Sequence, residues 1–111
     1  MNLEQFIAYC ETKPEVSMEF PFGPDTLVFK VGTKIFALTG IDSMEFKVNL
    51  KCDPEYAEEL RSEFEEIQPG YHMNKKHWNT VHFEGRLGDP LLKKLIDHSY
   101  NLVAKPKSKK K

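Results

Sequence analysis

The stretch that most limits the fold is residues 26–38, TLVFKVGTKIFAL. Two runs rich in β-branched and aromatic residues flank Gly32-Thr33. Glycine first in a two-residue loop is the signature of a type II′ hairpin, whose twist matches that of paired strands. Closing the chain there predicts Phe29 opposite Phe36 and Leu27 opposite Leu38, all on one apolar face. After the turn GIDS, the segment EFKVNLKC alternates again, with Phe46, Val48, Leu50 and Cys52 set against Lys47, Asn49 and Lys51. Met18, Phe20 and Phe22 alternate upstream. Residues 17–51 therefore predict an antiparallel meander with one buried face. The face opposite carries Lys30, Lys47, Asn49 and Lys51.

A sheet with one apolar face needs a cover, and three helical segments supply it. Over residues 2–12, Leu3, Phe6, Ile7 and Cys10 share one face, Asn2 and Gln5 form a capping pair, and Pro14 lies just beyond the end. In DPEYAEELRSEFEEI (53–67), Asp53 is the expected N-cap, Pro54 suits the first turn, and Tyr56, Leu60, Phe64 and Ile67 make the apolar stripe. The glutamates on its outer face read as a solvated helix surface rather than a paired-carboxylate site. Pro69-Gly70 break the chain. NTVHFEG (79–85) reads as a strand with Val81 and Phe83 alternating against Thr80 and His82. Asp89-Pro90 repeat the Asp-Pro helix start, and a third helix follows with Leu91, Leu92, Leu95, Ile96, Tyr100, Leu102 and Val103 for the core. The order predicts an α+β domain, an antiparallel β-sheet with helices packed on one face.

The chain's 111 residues suffice for one domain, read as 1–104, with 105–111 a disordered lysine-rich tail. Its 40% hydrophobic content excludes disorder for the body. Nothing resembles a membrane span or a signal peptide, and two cysteines without a C-x-x-C fit a reduced, cytoplasmic protein. The net charge of −1 hides a division: without the tail's five lysines the body stands at −6. Affinity for a polyanion must therefore come from local patches or from the tail.

The densest stretch is PGYHMNKKHWNTVHF, residues 69–83. His72, His77 and His82 stand five apart, a spacing that scatters imidazoles on a helix and on a strand alike. With no H-E-x-x-H and no cysteine pair, they read as ordinary histidines, so neither metal nor any other cofactor is expected. DHSY (97–100) holds Asp, His and Ser, but helix neighbours do not face one another, and it reads as a structural segment. No G-x-S-x-G elbow and no phosphate loop is present, so no enzyme is expected. Anion binding fits the composition better. Lys75 and Lys76 bring charge, His72, Asn74, His77 and Asn79 bring hydrogen-bonding groups, and Tyr71 and Trp78 bring flat surfaces. Composition alone balances this against a plain loop anchored to the core by Trp78.

Four blocks, FPFGPDTLVFKVGTKIFAL, VNLKCDPEYAEELR, PGYHMNKKHWNTV and LIDHSYNLV, together resemble the MmcQ/YjbR family of small bacterial proteins. The likeness covers nearly the whole chain except the tail. It implies a CyaY-like (frataxin-like) α+β fold and DNA binding through a double wing of hairpin segments. Carried over residue by residue, the motif falls on 71–79 and on Pro21, Phe22, Gly23 and Pro24. The reading is then a monomer that presents Lys75, Lys76 and the flanking His72, Asn74, His77, Trp78 and Asn79 to DNA, with Lys30, Lys47 and Lys51 extending the surface. The alternative is a non-enzymatic module in which the motif lines a pocket for a protein or small ligand. The two separate on whether these lysines share a face.

Overall fold

The computed structural model describes residues 1–42, 44–70 and 73–104. Tyr71, His72 and the lysine-rich tail lie outside the described residues. Within them the chain runs α1 (Leu3–Glu11), β1 (Val16–Glu19), β2 (Thr26–Val31), β3 (Lys34–Gly40), β4 (Lys47–Lys51), α2 (Pro54–Glu63), β5 (Ile67–Pro69), β6 (Trp78–His82) and α3 (Asp89–Val103). The strands form one antiparallel sheet in the order β1-β2-β3-β4-β6-β5. The α+β expectation holds, with the helices on one face.

Local chemistry explains the elements. The Asn2 side chain accepts from the Gln5 backbone and the Gln5 side chain from the Asn2 backbone, closing the expected capping box on α1. The Asp53 side chain caps α2 through Tyr56 N, with Pro54 in the first turn. At α3 the cap residue is Gly88, and the Asp89 carboxylate instead meets the N-terminal amine of Met1 at 3.2 Å. Helix α2 ends at Glu63, before the expected boundary. Phe64 turns extended and Ile67–Pro69 leave as a short edge strand, so Ile67 enters the core from a strand.

The hairpin forms around Gly32-Thr33 with Gly32 at φ 63°, as type II′ requires. Its register differs from the expected one. Val31 pairs with Lys34 and Lys30 with Ile35, but Phe29 then pairs with Ala37 and Leu27 with Thr39. Phe36 is the extra residue of a β-bulge. Its carbonyl finds a partner outside the ladder, the Ser99 hydroxyl of α3 at 2.5 Å, and the same Ser99 oxygen accepts from Lys51 N at 2.8 Å. The bulge leaves Leu27, Phe29 and Phe36 inside with Ala37 and Thr39, and turns Leu38 to the other face beside Val28. Thr39 is tolerated inside because its hydroxyl donates to Lys47 O at 2.6 Å.

The core draws on every layer. Phe6 of α1 meets Phe29 and Phe83 edge-on, both at 5.4 Å between centroids, and half-buried Phe46 joins them at the margin. Leu92, Leu95 and Ile96 of α3 and Ala57 and Leu60 of α2 close over Val48, Leu50, Val81 and Ile67. The DHSY segment is structural, as expected. Tyr9 donates to Asp97 at 2.7 Å, His98 Nε2 accepts from Asp53 N at 3.1 Å, and Tyr100 donates to Pro14 O at 2.7 Å.

Candidate functional site

In β4 and β6 successive side chains alternate between the helix-covered face and the bare one. Val48, Leu50, Asn79 and Val81 turn inward. That alternation sends Lys47, Asn49 and Lys51 of β4 to the bare face, and Trp78, Thr80 and His82 of β6 with them. The register sets these residues in three cross-strand pairs, Lys47 with His82, Asn49 with Thr80, and Lys51 with Trp78. Thr80 donates to Asn49 Oδ1 at 2.5 Å. The Lys51 ammonium lies 6.0 Å from the centre of the Trp78 ring, at the edge of cation–π range. Lys30 occupies the same face two strands away, about 10 Å off, paired with Glu19 at 3.1 Å. Lys47 is paired with Glu45 at 3.2 Å.

The motif loop reaches this face by a set of backbone clamps. Asn74 Oδ1 accepts from Lys76 N at 2.9 Å and His77 N at 3.2 Å, forming the tight turn expected of an Asx residue. His77 O accepts from Cys52 N, and Gly70 N donates to Trp78 O, each at 2.8 Å. Gly70 is required by proximity: a Cβ there would lie 2.8 Å from Trp78 Cβ. The Lys75 ammonium folds back onto Gly70 O at 3.0 Å. Lys76 and His77 are exposed beyond it.

One expected site residue sits elsewhere. Asn79, counted among the presented hydrogen-bonding groups, is 2% exposed on the helix side and gives its Oδ1 to Arg61 Nε at 2.7 Å. Trp78, weighed both as a presented surface and as a core anchor, is half-buried on the face away from the helices, because strand alternation with Asn79 and Val81 leaves it no other direction. His72 lies outside the described residues.

Sequence reasoning passed over Arg61. From the end of α2 its guanidinium holds Asn79 Oδ1, Trp78 O at 3.3 Å and Lys75 O, tying the loop and β6 to the helix layer. The signal was present, since Arg61 is the one Lys or Arg between Lys51 and Lys75.

Between the loop and the sheet lies a cavity of about 510 Å³, lined by Lys47, Asn49, Thr80 and His82 from the sheet and Lys75 from the loop. Gln68 and Glu45 stand at its walls. Burial pushes the Cys10 thiol up to about 12 and the Cys52 thiol up to about 11, so both stay protonated at neutral pH. Among the described residues, no group of three or more His, Cys, Asp or Glu could hold a metal ion. No described helix is long and apolar enough to cross a membrane. The arrangement can hydrogen-bond and attract an acceptor-rich or anionic group.

Fold and face together define a small α+β domain whose sheet carries a donor-rich surface on the side away from its helices. The YjbR family profile matches residues 11–102, and the chain belongs to that family. Escherichia coli K12 YjbR is 33% identical over 113 residues, spanning 98% of this chain and 96% of its own length. YbdF of Escherichia coli O157:H7 is 44% identical over 91 residues, 81% of this chain and 74% of YbdF. Among solved structures, Deinococcus radiodurans DR2400, of domain family DUF419, superposes with a TM-score of 0.90 at 41% identity, over 96% of this chain and 83% of that one. A Pseudomonas syringae protein gives 0.80 at 35%, over 93% and 99%.

Proposed function

We propose that the bare sheet face binds nucleic acid, DNA foremost, without catalysing a reaction on it. The observation that carries the reading is the β4–β6 register. It sets Lys47, Lys51 and Trp78 on the face that no helix covers, with Lys75 held beside them. Positive charge tracks a phosphate backbone, and an accessible indole offers a stacking surface for an unpaired base. The helix layer opposite carries the glutamates of α2, so a polyanion is repelled there and attracted here. Lys30 and Lys47 are partly neutralised by Glu19 and Glu45, which favours a single strand lying along β4 and β6 over a broad duplex footprint. In this reading the protein works as a cytoplasmic monomer, and the β2–β3 hairpin is one of its wings.

The test is a fluorescence-anisotropy titration of labelled single-stranded and duplex DNA at several salt concentrations. It compares the full chain with a version ending at Ala104, which removes a run of five lysines whose charge attracts polyanions whatever the fold. Each phosphate neutralised releases counterions, so replacing Lys51 and Lys75 with Met should reduce the log-affinity against log-salt slope by up to about 1.4 units on a single strand and about 1.8 on a duplex. Absence of DNA affinity at low salt in the tail-less chain would sink the reading.

A further inference from the structure

The cavity between the motif loop and the sheet has more hydrogen-bond donors than the protein uses. An ammonium group carries three donors. Among the described residues, the Lys47 ammonium is paired with Glu45 and the Lys75 ammonium with Gly70 O. Asn49 gives its carbonyl oxygen to Thr80, and among the described residues its amide N–H groups have no partner. The His82 imidazole, also in the lining, has no described side-chain partner. Among the described residues of the lining, two lysines stand against one glutamate, an excess of one positive charge. A ligand that satisfies these groups is rich in acceptors and anionic. A volume of about 510 Å³ falls in the range of pockets for single small ligands and excludes a duplex.

We propose that this cavity takes one nucleotide unit of a strand, its phosphate between Lys47 and Lys75 and its base edge against Asn49 and His82. This rests on the nucleic-acid reading of the bare face and names what occupies its deepest part. A phosphodiester supplies the single negative charge that the lining lacks. A base supplies ring-nitrogen or carbonyl acceptors for the Asn49 amide, and either a donor or an acceptor for the imidazole. The cavity then sets the register of the strand, while Trp78 and Lys51 meet the neighbouring nucleotide.

The experiment is an NMR titration of the full, nitrogen-15-labelled chain with a nucleoside 5′-monophosphate, the matching nucleoside and inorganic phosphate, each alone. A short single-stranded oligonucleotide is titrated in parallel. The monophosphate should give saturable shifts at Lys47–Asn49, Lys75 and Thr80–His82, and bind at least tenfold more tightly than the nucleoside or phosphate. Asn49→Asp keeps the acceptor for Thr80, removes the amide donors and adds a charge, so it should abolish these shifts. Lys75→Met should weaken binding at least tenfold, and unchanged dispersion of the core amides will verify folding in both variants. If the oligonucleotide shifts the β4 and β6 amides but the monophosphate does not, or if the monophosphate binds Asn49→Asp equally well, the nucleotide cavity is wrong and the bare-face reading stands. If neither ligand binds, both fall.

Discussion

Arg61 of α2 donates through Nε to the buried Oδ1 of Asn79 on β6 at 2.7 Å, joining the one cation of an acidic helix to an amide inside the sheet. The same guanidinium holds two carbonyls of the motif loop. Cutting it away leaves Asn79 desolvated without its donor, and a hydrogen bond to a charged group is worth about 1.5–3 kcal/mol. Arg61→Ala should lower stability by that amount in urea denaturation and speed amide exchange at Lys76 and His77. Arg61→Lys should recover only part, because an ammonium lacks the planar fork that reaches several oxygens. Stability within about 0.5 kcal/mol of the parent for Arg61→Ala would show the clamp to be incidental.

Ser99 should matter far more than its size suggests. It answers two backbone groups, Phe36 O at the bulge and Lys51 N at the end of β4. Ser99→Ala orphans both, at about 1–3 kcal/mol for each buried group left unmet. The bulge also makes a contrast between neighbours. Phe36→Ala should cost about 3–5 kcal/mol, whereas Leu38→Thr, on the bare face, should stay under about 1 kcal/mol. Equal losses at the two positions in chemical denaturation would contradict the observed register.

The hairpin turn was legible in the sequence because glycine's freedom at positive φ is a property of one residue. The register was not, because the bulge at Phe36 depends on a serine more than sixty positions away. Strand β5 was hidden by coincidence of spacing, since Leu60, Phe64 and Ile67 continue a helical stripe that the chain abandons at Phe64. Trp78 is the instructive case. The alternation that put Val81 inside already placed Trp78 on the other face, yet composition alone left a loop anchored to the core by Trp78 equally open. Strand geometry decides between the two.

That placement makes Trp78 a reporter. It is the chain's one tryptophan, so stacking of a base should quench the intrinsic fluorescence in proportion to occupancy. Trp78→Ala should keep the fold, costing less than the ~3–5 kcal/mol of a buried aromatic, and should weaken single-strand affinity by about 1–3 kcal/mol. Collapse of the fold in that variant would return Trp78 to the role of anchor.

Stability should be bounded on both sides of neutral pH. Burial holds the His98 pKa below its ordinary 6.5, and its Nε2 must stay unprotonated to accept from Asp53 N. As pH falls below 6.5 the unfolded chain takes up this proton first, so the contribution present above 6.5 is lost as pH drops through the folded value. The thiols act in the opposite direction. Cys10 and Cys52 are pushed from 9.0 to about 12 and about 11, chiefly by burial. Above pH 9 the unfolded chain loses these protons first, so stability falls as pH climbs through 11 and 12. Urea midpoints from pH 5 to 10.5 should trace a plateau between the two limits, and His98→Gln should flatten its acid edge.

The uncovered sheet face has an evolutionary consequence. Along β4 and β6, positions that hold the domain together and positions that meet the surroundings are interleaved one for one, like two messages written on alternate letters. Lys47, Asn49, Lys51, Trp78 and His82 form one message, while Val48, Leu50, Asn79 and Val81 form the other. The first can drift among relatives, or be randomised in a library, without disturbing the second. One scaffold can thereby acquire different recognition chemistries at little cost to its folding.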